Sequence, residues 1–237
     1  MPRPPGLFFY IICMKAGFVN IFGKPNAGKS TLLNALIGDK LAIVSPKVQT
    51  TRHRIKGILT EPDYQIVFSD TPGIIQPKYK LHEKMMGAVK SSLEDADLAL
   101  LLADATDDVE ENASLFASLK LRAPVIVVLN KADLVKQPEK LQATLQAYQQ
   151  YPFVKNVITV SALKKTGLDE LMKQILEQLP EGEPFFQGDD ISDQPVKFFV
   201  GEMIREKIFQ LYEDELPYHS TVLVQEFKEK ETLIKIT

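Results

Sequence analysis

The sequence predicts an α/β fold: a mostly parallel sheet of six strands, one of them antiparallel at the edge, with helices on both faces. From Ala16 to about Leu179, short apolar runs alternate with stretches whose apolar residues recur at helical spacing. In addition, a glycine-rich loop joins the first apolar run directly to the first helical stretch. The predicted strands are 18–22, 55–60, 64–69, 98–103, 125–129 and 154–160, and the predicted helices are 30–37, 81–93, 111–119, 139–149 and 168–178.

The antiparallel strand follows from a hairpin signal. Runs 55–60 and 64–69 are separated by the turn-forming tripeptide Glu61-Pro62-Asp63. The other strands are separated by helices and are expected to be parallel, so ligands should bind at their carboxyl ends.

Composition narrows the classes of function. The net charge of -3 gives no overall basic field for nucleic acid, so an RNA site would have to be local. The single cysteine, Cys13, excludes an internal disulfide framework and indicates a reducing, cytoplasmic compartment. No apolar run approaches the roughly 20 residues that span a bilayer.

Residues 1–13 combine a proline-rich start with an apolar run that resembles a short signal peptide. The first predicted strand follows at once and leaves no room for a cleavage site. We interpret Met14 as the start of the functional protein and residues 1–13 as an extension from an upstream start. An apolar tail that covers part of the domain surface is the alternative.

Residues 23–30 read GKPNAGKS and fit the phosphate-loop pattern of glycine, four residues and Gly-Lys-Ser/Thr. Gly23 and Gly28 allow the backbone to bring its N–H groups up to phosphates, and the following helix start adds donors. Lys29 is placed to reach the β- and γ-phosphates, and the Ser30 hydroxyl to bind Mg²⁺.

Two further segments are typical of a nucleotide switch. The polar, basic loop 44–54 holds Thr51, whose hydroxyl we expect on Mg²⁺ and whose N–H we expect at the γ-phosphate, with Thr50 as the alternative. Asp70-Thr71-Pro72-Gly73 follows strand 64–69. Asp70 is expected to support the Mg²⁺ site, and the Gly73 N–H to meet the γ-phosphate.

The base should be read by two segments that follow the last strands. Asp133 of Asn130-Lys131-Ala132-Asp133 can accept two hydrogen bonds from guanine, whereas adenine would leave this carboxylate unpaired. Ser161-Ala162-Leu163 is predicted to form the last wall of the base pocket, with the Ala162 N–H facing guanine O6.

These motifs occur in the order and spacing of a translation-factor-class GTPase domain. With VQTTRHRI at 48–55, IREKIF at 204–209 and ELPY at 215–218, the chain resembles the Era family of bacterial ribosome-assembly GTPases over about residues 14–230. The resemblance implies a P-loop NTPase fold, hydrolysis of GTP to GDP with Mg²⁺, and transient binding to the small (30S) ribosomal subunit and its ribosomal RNA. It further implies a cytoplasmic monomer, with weak peripheral association at the inner membrane as an additional expectation.

The predicted domains are a GTPase domain at 14–180, a linker at 181–195 and an α+β unit at 196–237. The linker is rich in Gly, Pro and acidic residues, and a helix at 196–212 and strands at 221–227 and 232–236 follow it. In the Era family this position opens a KH-type RNA-binding module, so we expect 196–237 to be an incomplete KH module. The GxxG loop by which KH modules clamp RNA is absent, because Gly201 is the last glycine.

Two residues bear on the reaction. Ile74 occupies the position after Gly73 where Ras-type enzymes carry a water-orienting glutamine, so we expect slow intrinsic hydrolysis. Asn26 lies where related GTPases hold K⁺ beside the phosphates, and we expect K⁺ there as an additional cation. Capping of the loop by Asn26 is the alternative.

The predicted catalytic residues are Lys29, Thr51 and Gly73, and the predicted Mg²⁺ ligands are Ser30, Thr51 and Asp70. The predicted nucleotide-binding residues are Gly23, Asn26, Ala27, Gly28, Lys29, Ser30, Thr31, Asp70, Gly73, Asn130, Lys131, Asp133, Ser161, Ala162 and Leu163. Three alternatives stay open: a related GTPase acting in tRNA modification or other ribosome maturation, a GTP-binding module without turnover, and an ATPase, which Asp133 opposes.

Overall fold

The computed structural model describes residues 14–45, 47, 50–230 and 233–237. The expectations for residues 1–13, including Cys13, lie outside the described residues. The strands are β1 Met14–Gly23, β2 Ile55–Glu61, β3 Tyr64–Asp70, β4 Leu98–Asp104, β5 Val125–Asn130, β6 Asn156–Thr159, β7 Glu181–Gly182, β8 Phe227–Lys230 and β9 Leu233–Ile236. The helices are α1 Lys29–Ile37, α2 Lys80–Glu94, α3 Val109–Ser118, α4 Pro138–Gln149, α5 Leu168–Gln178, α6 Val196–Leu211 and α7 Leu216–His219.

The main sheet contains the six predicted strands in the order β2-β3-β1-β4-β5-β6. β2 pairs antiparallel with β3, whereas β1, β3, β4, β5 and β6 pair in parallel. A short strand that the sequence did not indicate, β7, pairs antiparallel with the start of β1. The carboxyl ends of the five parallel strands therefore meet along one edge, where the predicted motifs lie.

Two hydrophobic cores cover the faces of the sheet. Along β4, Leu100 points into the core that packs α1 and α5, and its neighbour Leu101 points into the core that packs α2, α3 and α4. This alternation is expected, because successive side chains of a strand point to opposite faces. The central strands are buried on both sides and present their ends as a rigid base for the loops.

The segment 181–195 runs from β1, which pairs with β7, past Gln65 of β3 to the edge strand β2. The backbone N–H groups of Phe185 and Phe186 donate to Gln65 Oε1 at 2.7 and 2.9 Å. Ile58 of β2 donates its N–H to the Ile191 carbonyl at 2.9 Å. The segment thus satisfies part of the edge strand's hydrogen-bonding capacity.

The C-terminal part contains α6, α7 and the antiparallel hairpin of β8 and β9. The predicted strand 221–227 is wrong in position: residues 221–226 are not in a strand, and β8 begins at Phe227. Its alternating side chains imitate a strand, but only the residues from Phe227 onward find a pairing partner in β9. None of the helices in the described ranges has the length and apolarity that crossing a bilayer requires.

Candidate functional site

The phosphate loop connects β1 to α1 through an unusual backbone path. Asn26 and Gly28 have positive φ angles of 60° and 96°, and Gly28 is the N-cap of α1. A Cβ atom at Gly28 would lie 2.3 Å from Asn130 Nδ2, and one at Gly23 would lie 2.3 Å from the Leu102 carbonyl oxygen. Both glycines are therefore required by close contacts to neighbouring strands, as well as by backbone conformation.

Lys29 lies beneath this loop. Its ammonium donates to the carbonyl oxygens of Gly23 and Lys24 at 3.2 and 2.8 Å. Burial lowers the pKa of Lys29 to about 8, although the attraction of Asp70 opposes this shift. A buried ammonium at this position gains strongly from an anionic partner, which is the chemistry that a phosphate supplies.

Three side-chain oxygens from separate elements converge beside Lys29. Ser30 Oγ donates to Asp70 Oδ2 at 2.6 Å, Thr51 Oγ1 donates to the same carboxylate oxygen at 3.1 Å, and the two hydroxyl oxygens are 3.0 Å apart. Burial raises the pKa of Asp70, while Lys29 and the two hydroxyl hydrogen bonds lower it. Within the described part of the chain, no side-chain hydrogen bond links Thr50, the alternative to Thr51, to this cluster.

The oxygen cluster fits a magnesium ion by its chemistry. Asp70 Oδ1 is buried and has no hydrogen-bond partner within the described part of the chain. Hydroxyl and carboxylate oxygens are the ligands that Mg²⁺ takes, usually alongside substrate phosphates and water. The described residues contain no group of three His, Cys, Asp or Glu side chains suited to a metal, so a site for Mg²⁺ here would depend on the two hydroxyls.

The loop after β3 is folded against the phosphate loop. Thr71 Oγ1 donates to the Ile21 carbonyl at 2.6 Å, and the Ile74 N–H donates to the Gly23 carbonyl at 3.0 Å. A Cβ atom at Gly73 would lie 2.8 Å from the backbone nitrogen of Pro25. Only glycine permits this approach, which brings the Gly73 backbone to the cleft.

Asn130 ties the phosphate loop to the segments that follow β5 and β6. Its Nδ2 donates to the Ala27 carbonyl at 2.8 Å, and its Oδ1 accepts from the Ala162 N–H at 2.9 Å. The contact of the Ala162 N–H with guanine O6 stays a prediction, and in this structure the N–H donates to Asn130. The two polar ends of one buried amide thereby hold both sides of the site together.

Of the remaining residues predicted to contact a base, Ser161 is buried and its Oγ accepts from the Lys164 N–H at 3.2 Å, whereas the other three lie nearer the surface. Lys131 has a left-handed φ of 61° and forms an ion pair with Asp104 at 2.7 Å. Although burial raises the pKa of Asp104, hydrogen bonds from Lys131 and Thr106 lower it overall. Asp133 and Leu163 are exposed to solvent, and Leu163 is 74% exposed.

An open cleft of about 350 Å³ lies over these elements. Of the predicted residues it is lined by Asn26, Gly28, Lys29, Ser30, Thr31, Thr51, Gly73 and Lys131, and also by Thr50, the alternative to Thr51. Asp133 and residues 161–163 do not line it. Sequence reasoning missed its apolar wall, formed by Ile43, Val44, Ile75 and Met85. Ile74 packs instead against the core that contains α2, α3 and α4.

Comparison with known proteins agrees with this geometry. The model of the family described as 50S ribosome-binding GTPase matches residues 18–131. GTPase Era of Ruminiclostridium cellulolyticum is 42% identical over 219 residues, which are 92% of this chain and 73% of that protein. GTPase Era of Geobacter sp. is 46% identical with the same two coverages.

A solved structure agrees with these sequence relatives. The crystal structure of Era in complex with MgGDPNP and nucleotides 1506–1542 of 16S ribosomal RNA matches with a TM-score of 0.87. It is 41% identical, and the match covers 92% of this chain and 75% of that chain. The phosphate loop, the oxygen cluster at Ser30 and the identity over nearly the whole chain give one answer: the chain belongs to the Era family of GTPases.

Proposed function

We propose that this protein is a GTP-hydrolysing switch that acts in assembly of the small ribosomal subunit and binds ribosomal RNA. The observation that carries the proposal is the meeting of Ser30, Thr51 and Asp70 within 3.1 Å of one another, beside the buried ammonium of Lys29. Three elements that are distant in the chain here supply the groups that a Mg²⁺–triphosphate requires.

Each residue has a specific part in this proposal. The Lys29 ammonium and the N–H groups of the phosphate loop hold the β- and γ-phosphates in place. Ser30, Thr51 and Asp70 would hold Mg²⁺, which neutralises charge that develops on the phosphates. The Gly73 N–H would donate to the γ-phosphate, and the hydrogen bond from the Ile74 N–H to the Gly23 carbonyl holds the neighbouring backbone against the phosphate loop. Asp133 accepts from the guanine ring and excludes adenine.

The switch follows from which contacts depend on the γ-phosphate. Thr51 and Gly73 belong to loops and meet the cleft, whereas Lys29 and Ser30 belong to α1. Loss of the γ-phosphate removes the nucleotide partner of the two loops, whereas Lys29 and the phosphate loop keep the β-phosphate, so the two loops change with the nucleotide state. Because the Ile74 side chain packs into a core, it does not orient water. In our proposal, backbone groups position the attacking water instead, with K⁺ on Asn26 as an additional cation.

The RNA-binding part of the proposal rests on the relatives. Era has been crystallised with MgGDPNP and a segment of 16S ribosomal RNA, and 75% of that chain is matched here. We assign nucleotide turnover to residues 14–180, a connecting role to 181–195 and the RNA-proximal role to 196–237. The family relationship supports action in the cytoplasm, and a monomeric state stays a prediction. Peripheral binding at the inner membrane stays a prediction.

The Lys29→Ala variant tests the nucleotide site. Removing the ammonium should lower the affinity for GTP and GDP by about 100-fold, because charge-assisted bonds to phosphate are lost. Lys24→Ala is the matched control, since the Lys24 ammonium forms an ion pair with Glu111 at 2.8 Å. Titration calorimetry with each nucleotide measures affinity, and phosphate release measures turnover. Normal GTP turnover by Lys29→Ala would disprove the assignment.

A GTP-binding module without turnover is the second candidate, because the half-buried Ile74 side chain packs against core residues and has no polar group to orient water. Single-turnover phosphate release separates the two candidates. If GTP binds tightly but phosphate is released no faster than by GTP in solution without protein, the second candidate is favoured over the first.

A further inference from the structure

The loop that carries Thr51 is held by the C-terminal part of the chain. Arg205 of α6 donates from Nη2 to the Thr50 carbonyl at 2.5 Å. Arg52 donates from Nη1 to the Ser220 carbonyl at 2.8 Å, and from Nη2 to the carbonyls of Pro217 and Tyr218 at 3.0 and 2.8 Å. Both neighbours of Thr51 in the chain are therefore fixed by α6 and by the end of α7.

The Arg205 side chain is buried and held by several contacts. It is 4% exposed and forms a two-pronged pair with Glu202, with Nε–Oε1 and Nη2–Oε2 distances of 2.9 and 2.6 Å. Its guanidinium carbon lies 5.5 Å from the centre of the Phe209 ring, and Phe209 in turn packs edge-on against Tyr218. A planar guanidinium held in this way presents its remaining donors in a fixed direction.

A second contact fixes the start of the same loop. Glu206, the neighbour of Arg205, is buried and accepts from Lys40 Nζ at 2.6 Å and from the Val44 N–H at 3.3 Å.

Burial and the nearby Arg205 lower the pKa of Arg52, while Glu202 opposes this shift. Holding the two positive charges of Arg52 and Arg205 close together costs electrostatic free energy, which their hydrogen bonds and the Glu202 ion pair offset.

We propose that Arg205 and Arg52 are positioning residues for Thr51: they orient its hydroxyl toward Ser30 and Asp70 through the backbone on either side. This inference rests on the proposed function, because it concerns the residue assigned to the Mg²⁺–triphosphate. Thr51 Oγ1 lies 3.0 Å from Ser30 Oγ while its two neighbours are bound to the C-terminal part. The C-terminal part is thus a component of the GTP-bound state of the nucleotide site.

Linkage gives the inference a second consequence. If α6 and α7 favour the GTP-bound position of Thr51, then bound GTP must favour the docked position of α6 and α7 by the same factor. GDP has no γ-phosphate to order the Thr51 loop, so it should have little effect on the docking.

The test uses the full chain and compares two ligands. Arg205→Met and Arg52→Met should each weaken binding of Mg²⁺–GDPNP by on the order of tenfold, since a charge-assisted contact next to Thr51 is lost. Binding of GDP should stay within about twofold, since Thr51 has no γ-phosphate to meet. Arg205→Lys, which keeps the charge beside Glu202, should restore part of the GDPNP affinity. Lys207→Met, an exposed site on α6 whose ammonium contacts Gln210, is the control.

The outcomes separate this inference from the proposed function. Failure of the unmodified protein to bind either nucleotide would refute both. Equal losses of GDPNP and GDP affinity, or no loss of either, would refute only the positioning role, because a structural defect does not distinguish the ligands. Hydrogen exchange on the unmodified protein is the independent check. Protection of residues 196–220 should be greater with Mg²⁺–GDPNP than with GDP, and equal protection would overturn the inference.

Discussion

Asn130→Ala should destabilise the protein and open the nucleotide site at the same time. The side-chain amide makes buried hydrogen bonds of 2.8 and 2.9 Å, to the Ala27 carbonyl and from the Ala162 N–H. Ala27 and Ala162 are each 3% exposed, so truncation leaves two backbone groups without partners away from solvent. Each stranded group costs about 1–3 kcal/mol. With partial entry of water, we expect a total loss of about 3 kcal/mol.

Thermal unfolding without nucleotide measures this loss. For a chain of this size, about 3 kcal/mol corresponds to a fall in Tm of about 6–12 °C. Asn156→Ala is the matched control: Asn156 donates to Gln174 at 2.6 Å in a half-buried position, and its loss should cost less than about 1 kcal/mol. GDP affinity should also fall in Asn130→Ala and not in Asn156→Ala. Equal Tm values for the two variants would show that Asn130 does not hold the two sides of the site together.

Two further predictions concern the nucleotide and its cations. Asp133→Asn should change the preferred nucleotide from GTP to xanthosine triphosphate, because an amide offers the donor that the xanthine oxygen needs. The ratio of the two affinities should change by on the order of 100-fold, and competition binding measures it. An unchanged preference would show that Asp133 does not contact the base. GTP hydrolysis should be faster in K⁺ than in Na⁺ at equal ionic strength, and Asn26→Ala should abolish this difference. Equal rates of phosphate release in the two salts would show that Asn26 only caps the loop.

The sequence was sufficient for the GTPase part of the fold, because there periodicity and motifs agree. The observed helix α5, Leu168–Gln178, has the predicted bounds, and β1 begins earlier than predicted, at Met14. β7 and the course of 181–195 could not be predicted. Their hydrogen bonds with β1, Gln65 and Ile58 are made by their backbone atoms, which leave no side-chain pattern in the sequence.

The candidate site could be predicted where a motif specifies an atom, and not where tertiary packing decides. Ser30, Thr51 and Asp70 come together as their motifs indicate. The hydrogen bond from the Ala162 N–H to the Asn130 side chain depends on tertiary packing, which the two sequence motifs do not show. Ile75 and Met85 line the cleft because of the path that their loop and helix take in the fold. An apolar side chain in the sequence does not indicate whether it will face a core or a cleft.

The loop residues 50–54 connect three parts of the molecule, and this constrains how the switch operates. Thr51 faces the oxygen cluster, Arg52 binds the end of α7, and Arg54 donates to Ser69 and to Asp95, the C-cap of α2. The Arg54 contacts join this loop to the helix that follows the Gly73 loop. Movement of Thr51 away from Ser30 therefore strains either the Arg52 contacts or the contact between Arg205 and the Thr50 carbonyl. On the positioning role that we propose for Arg52 and Arg205, a change at the γ-phosphate would reach α6 and α7 through the direct neighbours of Thr51, without a separate relay.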